Sequence, residues 1–305
     1  MSRIHEALKR AAQERSAQLV AGLEAQVAEV GGKIRRSDMV SSVAAEPTTQ
    51  QPAFAAAKKA VSLNYEELVM RCAHPEWRLD PSTSVFQNPK LGQGVSERFR
   101  TLRSRLYQIS GARALRRLLV TSSVAGEGKT FISSNLAQSI VQQPDMRVLL
   151  VDADIRASRL HIMLGAPNRP GLSDYLRGEA DEFEIVQKGM EENLCLIPGG
   201  SSVSNPSELL LGDRMKHLLD HLTPMFDWVI IDSPPAMPVP DASILSALVG
   251  GILLVVHAGS THVAIVEKTA AQFHGSNLLG VVLNQVEKSE SYGNYCYDYQ
   301  AADRA

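Results

Sequence analysis

The chain has 305 residues, 44% of them hydrophobic, and a formal net charge of −2 at pH 7. That is enough apolar material for one large core or two smaller ones, and a balance so close to neutral argues against nucleic acid as a partner. The three cysteines, Cys72, Cys195 and Cys296, are far apart and form no CxxC pair, which argues against a disulfide framework and a structural zinc site.

No run of eighteen apolar residues occurs, so no transmembrane helix is expected. The charged N-terminus lacks the apolar stretch of a signal peptide. A cytoplasmic protein is expected, brought to the inner face of a membrane only by a partner or a surface helix. Residues 1–30 read as an amphipathic helix, with Ile4, Leu8, Ala12, Leu19, Leu23 and Val27 at three- and four-residue spacing and Arg3, Lys9, Arg10 and Arg15 elsewhere. It is either a docking helix for a partner or an anionic surface, or a helix lying on its own domain. Residues 31–60, rich in Ser, Ala, Thr, Gln and Pro, read as a disordered linker. Within the irregular connection 61–94, Asn64 is placed to cap a short helix ending at Arg71.

Regularity starts at Val95. Phe99, Leu102 and Leu106 share one side of a helix for which Ser96 is the candidate cap. Apolar runs then alternate with helical patterns: Leu118–Val120, Val148–Val151, Leu194–Ile197, Trp228–Ile231, Ile252–Val256 and Leu279–Leu283. Short continuous Val/Ile/Leu runs between helices predict strands buried on both faces. The expected fold is therefore α/β, a P-loop NTPase domain over 95–286 with a mostly parallel central sheet flanked by helices.

The first predicted strand leads into Ser122-Ser123-Val124-Ala125-Gly126-Glu127-Gly128-Lys129-Thr130, and a helix follows. Small residues let backbone N–H groups turn onto phosphate oxygens, and the helix points its positive end at the same place. Lys129 would reach the β- and γ-phosphates and the Thr130 hydroxyl would sit on Mg²⁺. Ser123 stands where the strict GxxxxGK(S/T) pattern asks for Gly. Ala125, Gly126, Glu127, Gly128, Lys129, Thr130 and Phe131 are the expected contacts to ATP. The second predicted strand ends in Asp152-Ala153-Asp154 and the fourth in Asp232-Ser233-Pro234-Pro235. Ligands bind at the carboxyl ends of strands in open parallel sheets, so Asp152, Asp154 and Asp232 are expected to cage Mg²⁺ with Thr130. Asp152 or Asp154 would alternatively serve as a base, and either would otherwise simply cap a turn.

The last fourteen residues carry four of the chain's seven tyrosines, Tyr292, Tyr295, Tyr297 and Tyr299, among Gly, Asn, Asp, Gln and Ser. A flexible solvated tail over 287–305 is expected, with phenols available as phosphate acceptors.

These pieces together resemble the bacterial tyrosine kinases, the P-loop autokinases of capsule and exopolysaccharide production. The loop Gly126–Thr130, the acidic box Leu149–Arg156 and the second acidic box Ile230–Pro235 match theirs in order, and Glu97, Arg100 and Arg103 match their ExxRxxR helix. The resemblance covers about 90–305. It implies a ring-like homo-oligomer joined through that helix and transfer of the ATP γ-phosphoryl group to a neighbour's tail; for that transfer Asp152 is the first expectation as base and Asp154 the second. It also implies a base contact from Asn284, a separate membrane-bound activator of the chain-length-determinant type and an opposing phosphotyrosine phosphatase. Two positions depart from the family pattern: Ala125 replaces a usual Pro, and His257 stands where Arg is common. Without the family setting, Glu97 and Arg100 read equally well as an intrahelical pair.

Two other functions fit parts of the pattern. Partitioning and division-site ATPases share the fold, but the position of their signature loop lysine holds Val124. A nucleotide-sensing scaffold for polysaccharide export would use the tail only to bind partners.

Overall fold

The computed structural model describes residues 64–88, 93–112, 115–189 and 193–286. The expected N-terminal helix, the linker and the tyrosine-bearing tail lie outside the described residues.

Seven strands form one sheet: β1 Arg117–Ser122, β2 Val148–Asp152, β3 Gln187–Lys188, β4 Leu194–Ile197, β5 Trp228–Asp232, β6 Gly251–His257 and β7 Leu278–Asn284. Their order is β3-β4-β2-β5-β1-β6-β7. Every pairing is parallel except the short antiparallel β3–β4 contact. The six apolar runs all become strands. Only β3 escapes the pattern, because two residues carry no periodicity.

Ten α-helices are described: α1 Tyr65–Arg71, α2 Gln93–Ala112, α3 Lys129–Val141, α4 Leu160–Leu164, α5 Leu172–Arg177, α6 Glu182–Ile185, α7 Pro206–Leu211, α8 Asp213–Leu222, α9 Asp241–Ser246 and α10 Val263–Gln272. They cover the sheet in two layers, as uniformly apolar strands require. On one face Leu118, Val120, Leu150, Ile230 and Val255 pack with Phe99 and Leu106 of α2 and Leu136 and Ile140 of α3. On the other, Leu119, Leu149, Val229 and Ile231 pack with Leu68 of α1, Leu172 of α5 and Met215, Leu218 and Leu222 of α8.

Of the connection 61–94, the described residues 64–88 are built into this unit. Leu68, Trp77 and Val85 are buried in the two cores, and Ala73 bridges Gln187 beside the sheet. Asn64 caps α1 by accepting from the Glu67 amide at 2.8 Å. Ser96 is not a cap: α2 begins at Gln93 and Ser96 lies within it.

The register brings the acidic residues together. β5 lies between β1 and β2, with Val120 and Asp152 both paired to Asp232. All three strands end at the same rim, where the phosphate loop emerges from β1.

Candidate active site

The loop between β1 and α3 turns on two left-handed glycines, Gly126 at φ 87 and Gly128 at φ 90. At Gly128 the left-handed conformation calls for glycine, and a Cβ there would lie 2.1 Å from Asn284 Nδ2 and displace that side chain. Gly128 caps α3 without any side chain, and the helix runs thirteen residues from Lys129. Glu127 braces the loop rather than lining it. Its buried carboxylate accepts from the Val124 amide at 2.8 Å, the His257 amide at 3.2 Å and the Thr261 hydroxyl at 2.5 Å. That brace ties the loop to the end of β6 and supplies rigidity where Ala125 replaces a proline. His257 contributes only a backbone group to it, which a histidine offers as well as an arginine.

The cation and the carboxylates meet at the rim. Lys129 Nζ donates to Asp154 Oδ2 at 2.9 Å and lies 3.9 Å from Asp232 Oδ2. Thr130 Oγ1 donates to Asp232 Oδ2 at 2.7 Å, and the Ser133 hydroxyl lies 3.1 Å from Oδ1. Burial disfavours the Lys129 charge, but Asp232 and Asp154 overcome it and hold its pKa above the ordinary value. Burial pushes Asp232 up, against the opposing pull of Lys129, Thr130 and Ser133.

Asp152 sits differently. Its Oδ2 accepts from the Ser158 hydroxyl and the Arg159 and Leu160 amides at 2.7, 3.1 and 3.0 Å. Its Oδ1 accepts the Asp154 amide at 3.2 Å. Burial, then the neighbouring Asp232, raise its pKa from 3.8 to about 7 despite these donors. Between those values the folded chain holds a proton that the unfolded chain releases, so Asp152's contribution to stability falls as pH rises through this window and levels off above it. Asp152→Asn is expected to flatten that part of the pH dependence, measured by urea denaturation at pH 5 and pH 8.

Among the described residues, no group of three or more His, Cys, Asp or Glu side chains is gathered to hold a metal, and one Asp152 oxygen, Oδ2, is engaged by the turn at 158–160. The Thr130 hydroxyl bonded to Asp232, with Asp154 across Lys129, is still a set of hard oxygen donors. It suits Mg²⁺, which takes few protein ligands and keeps several waters. Thr130, Asp232 and Asp154 would hold the ion.

Other predicted residues fall in varied places. Phe131 turns its ring toward α2, 5.9 Å from Phe99, leaving only its backbone for a nucleotide. Asn284 Nδ2 donates to the Glu127 carbonyl at 2.9 Å. Arg100 pairs with Glu97 on the exposed side of α2, and Arg103 donates to the Ser139 carbonyl of α3. Tyr292, Tyr295, Tyr297 and Tyr299 lie outside the described residues.

Four contributors escaped the sequence reading. Ser133 lies one turn after Lys129, a spacing that puts it on the same helix face. Arg156 forks onto the fully buried Asp241 at 2.7 and 3.1 Å and reaches the Ser207 hydroxyl at 2.8 Å, fixing the acidic turn against α7 and α9. Gln285 donates to the Gly126 carbonyl at 3.0 Å. Neither Asp241 nor Gln285 carries any local signal of its role.

A family described as an AAA domain matches residues 117–258. Over 204 residues the chain is 35% identical to the tyrosine-protein kinase YwqD of Bacillus subtilis, covering 66% of this chain and 86% of that protein. It is 35% identical over 211 residues to the tyrosine-protein kinase wzc of Salmonella typhi, covering 67% of this chain and 29% of the relative. The chain thus spans less than a third of the length of wzc. Among solved structures, the kinase domain of Escherichia coli tyrosine kinase ETK superposes with a TM-score of 0.60 at 33% identity, covering 64% of this chain and 78% of that one.

Proposed function

This chain belongs to the bacterial tyrosine-protein kinase family, and from that premise we propose that it transfers the γ-phosphoryl group of ATP to tyrosines in the C-terminal tail of a neighbouring copy. The observation that carries the reading is the meeting of Lys129, Thr130 and Ser133, on the first turns of α3, with Asp154 and Asp232. A phosphate-binding loop alone is common to many nucleotide enzymes. A loop facing two carboxylates, in a chain that ends in clustered phenols, suits transfer to a hydroxyl.

Lys129 exchanges its carboxylate partners for phosphate oxygens, and the loop amides spread the charge of the loose transition state. Bound Mg²⁺ would neutralise the phosphate charge and ease ionisation of the incoming phenol. A phenol has an ordinary pKa near 10 and needs a base. Asp152 takes that role, since its pKa of about 7 matches a general base and, among the described residues, its Oδ1 accepts a single bond, from the Asp154 amide. Asp154, paired with Lys129, is the second choice.

Reach favours a neighbour's tail. Asn284 and Gln285 lie against the chain's own phosphate loop, and the eight residues from there to Tyr292 span at most about 28 Å. Returning to the same site would require a sharp reversal, whereas an adjoining site is met directly. Glu97 and Arg100 on the exposed side of α2 form the subunit contact of a ring. Each phosphotyrosine carries nearly two negative charges, so a phosphorylated tail leaves the acidic site and the ring opens. The ring works at the cytoplasmic face of the membrane with a separate membrane-bound activator. A phosphotyrosine phosphatase reverses the modification, and the cycle regulates exopolysaccharide or capsule polymerisation and export. No described helix is long and apolar enough to cross a membrane.

The test mixes active protein truncated after residue 286 with full-length Lys129→Ala protein and labelled ATP. Label is expected on the tail of the Lys129→Ala chain. If that chain stays unlabelled although the two co-assemble, transfer between subunits is wrong. Free phosphate with no labelled protein would instead identify a regulatory ATPase.

A further inference from the structure

We propose that Gln285, acting with Asn284, is a positioning residue of the nucleotide loop: two successive carboxamides at the end of β7 hold two successive loop carbonyls and thereby aim the amides that receive phosphate. The proposal rests on the nucleotide-binding reading above.

Gln285 Nε2 donates to the Gly126 carbonyl at 3.0 Å, and Asn284 Nδ2 donates to the Glu127 carbonyl at 2.9 Å. In a trans peptide the carbonyl and the following N–H point in opposite directions. Holding the Gly126 carbonyl therefore turns the Glu127 amide away from β7, and holding the Glu127 carbonyl does the same for the Gly128 amide. Two consecutive N–H groups directed one way, flanked by left-handed glycines at φ 87 and φ 90, make an anion-binding nest. Among the described residues, no acceptor takes the amides of Gly126, Glu127 or Gly128. They are donors held ready, and the carboxamides on the far side keep the two peptide planes from flipping.

The backbone of Gln285 supports the same conclusion. Its φ is 54, a left-handed conformation that is unfavourable for any residue with a Cβ. A glycine there would relieve the strain but would lose the donor. Strain of this kind persists where the surroundings enforce it, and it clusters at ligand sites. The Asn284 carboxamide sits so close to the loop that a Cβ on Gly128 would meet its Nδ2 at 2.1 Å.

The experiment titrates ADP into the purified full-length chain and its Gln285→Gly, Gln285→Glu and Asn284→Ala variants, with thermal unfolding measured on each. Gln285→Gly is expected to unfold at the same temperature or higher, because the strain is gone, yet to bind ADP roughly fivefold more weakly. Gln285→Glu is expected to bind more weakly still, since a carboxylate repels both the Gly126 carbonyl and the phosphates. Asn284→Ala should weaken binding at least as much as Gln285→Gly, because its bond is the better shielded of the two. A purely structural role would instead move affinity and unfolding temperature in the same direction. The proposal is overturned if Gln285→Gly and Gln285→Glu bind ADP within about twofold of the unaltered chain, or if affinity falls only in step with stability. Should the unaltered chain itself fail to bind ADP, the nucleotide-binding reading falls, a separate and recognisable outcome.

Discussion

Lys129→Ala is expected to lower tyrosine phosphorylation by at least ~10²–10³-fold, the loss typical of removing one transition-state donor. The same change should destabilise the chain, and more so at high pH. In the folded protein the ammonium is 2.9 Å from Asp154 and 3.9 Å from Asp232, and the Asp232 side chain is only 1% exposed. Removing one partner of a buried ion cluster costs about 3–5 kcal/mol, because the remaining charges stay desolvated. Asp232 already has a raised pKa from burial, and losing Lys129 raises it further. A folded carboxylate with a raised pKa loses stability as pH rises through that value. The deficit of Lys129→Ala should therefore be largest at pH 8 and shrink toward pH 5, as read from urea denaturation at both. A loss of activity with unchanged stability at every pH would mean that the lysine does not share its site with these carboxylates.

Asp232→Asn is expected to cost a comparable ~10²–10³-fold in activity while leaving stability unchanged or higher at pH 8. On the proposed reading the reaction needs the carboxylate for its charge, as partner of Thr130 and to hold Mg²⁺, but the fold does not need that charge. Asparagine keeps an oxygen for the Thr130 hydroxyl. The Ser133 hydroxyl can donate to the Lys129 carbonyl at 3.0 Å and accept from the new amide. Lys129 retains Asp154 at 2.9 Å. What disappears is the desolvation that raised the Asp232 pKa, so the gain over the unaltered chain should grow with pH and vanish in acid. The two variants thus lose activity alike and move stability oppositely. A marked fall in stability for Asp232→Asn at pH 8 would show that the carboxylate holds α3 onto the sheet.

The six long strands were legible because burial on both faces leaves nearly continuous Val/Ile/Leu runs, which glycines, prolines and polar turns then interrupt. The phosphate loop was legible for a related reason: the Gly126–Thr130 pattern is local, and each residue type answers to a backbone requirement. Asp154 and Asp232 could be placed at the rim from their position after apolar runs. Asp152 could be placed there too, and capping a turn was one of the roles open to it, but no local pattern showed that its Oδ2 would take the turn at 158–160, since its partners are mostly backbone amides that any residue would supply. Ser96 misled in the same way. A serine before an apolar stripe is a fair cap signal, but α2 begins three residues earlier at Gln93. Glu127, Gln285 and Asp241 depend on contacts across 130, 159 and 85 residues, and no local pattern encodes such pairings.

By itself the amino-acid sequence determined the layered α/β class, the phosphate loop, the acidic strand ends and the phenol-bearing terminus, all of which follow from short-range periodicity and residue chemistry. Only the tertiary structure decided which carboxylate faces the lysine, which one anchors the turn at 158–160, and how β7 leans its carboxamides on the loop. Those outcomes depend on strand order and register: pairing both Val120 and Asp152 with Asp232 fixes distances of a few ångströms between residues far apart in the chain. Charge and hydrogen bonding at the site act over those few ångströms, so the chemistry exists only once the sheet has closed around it.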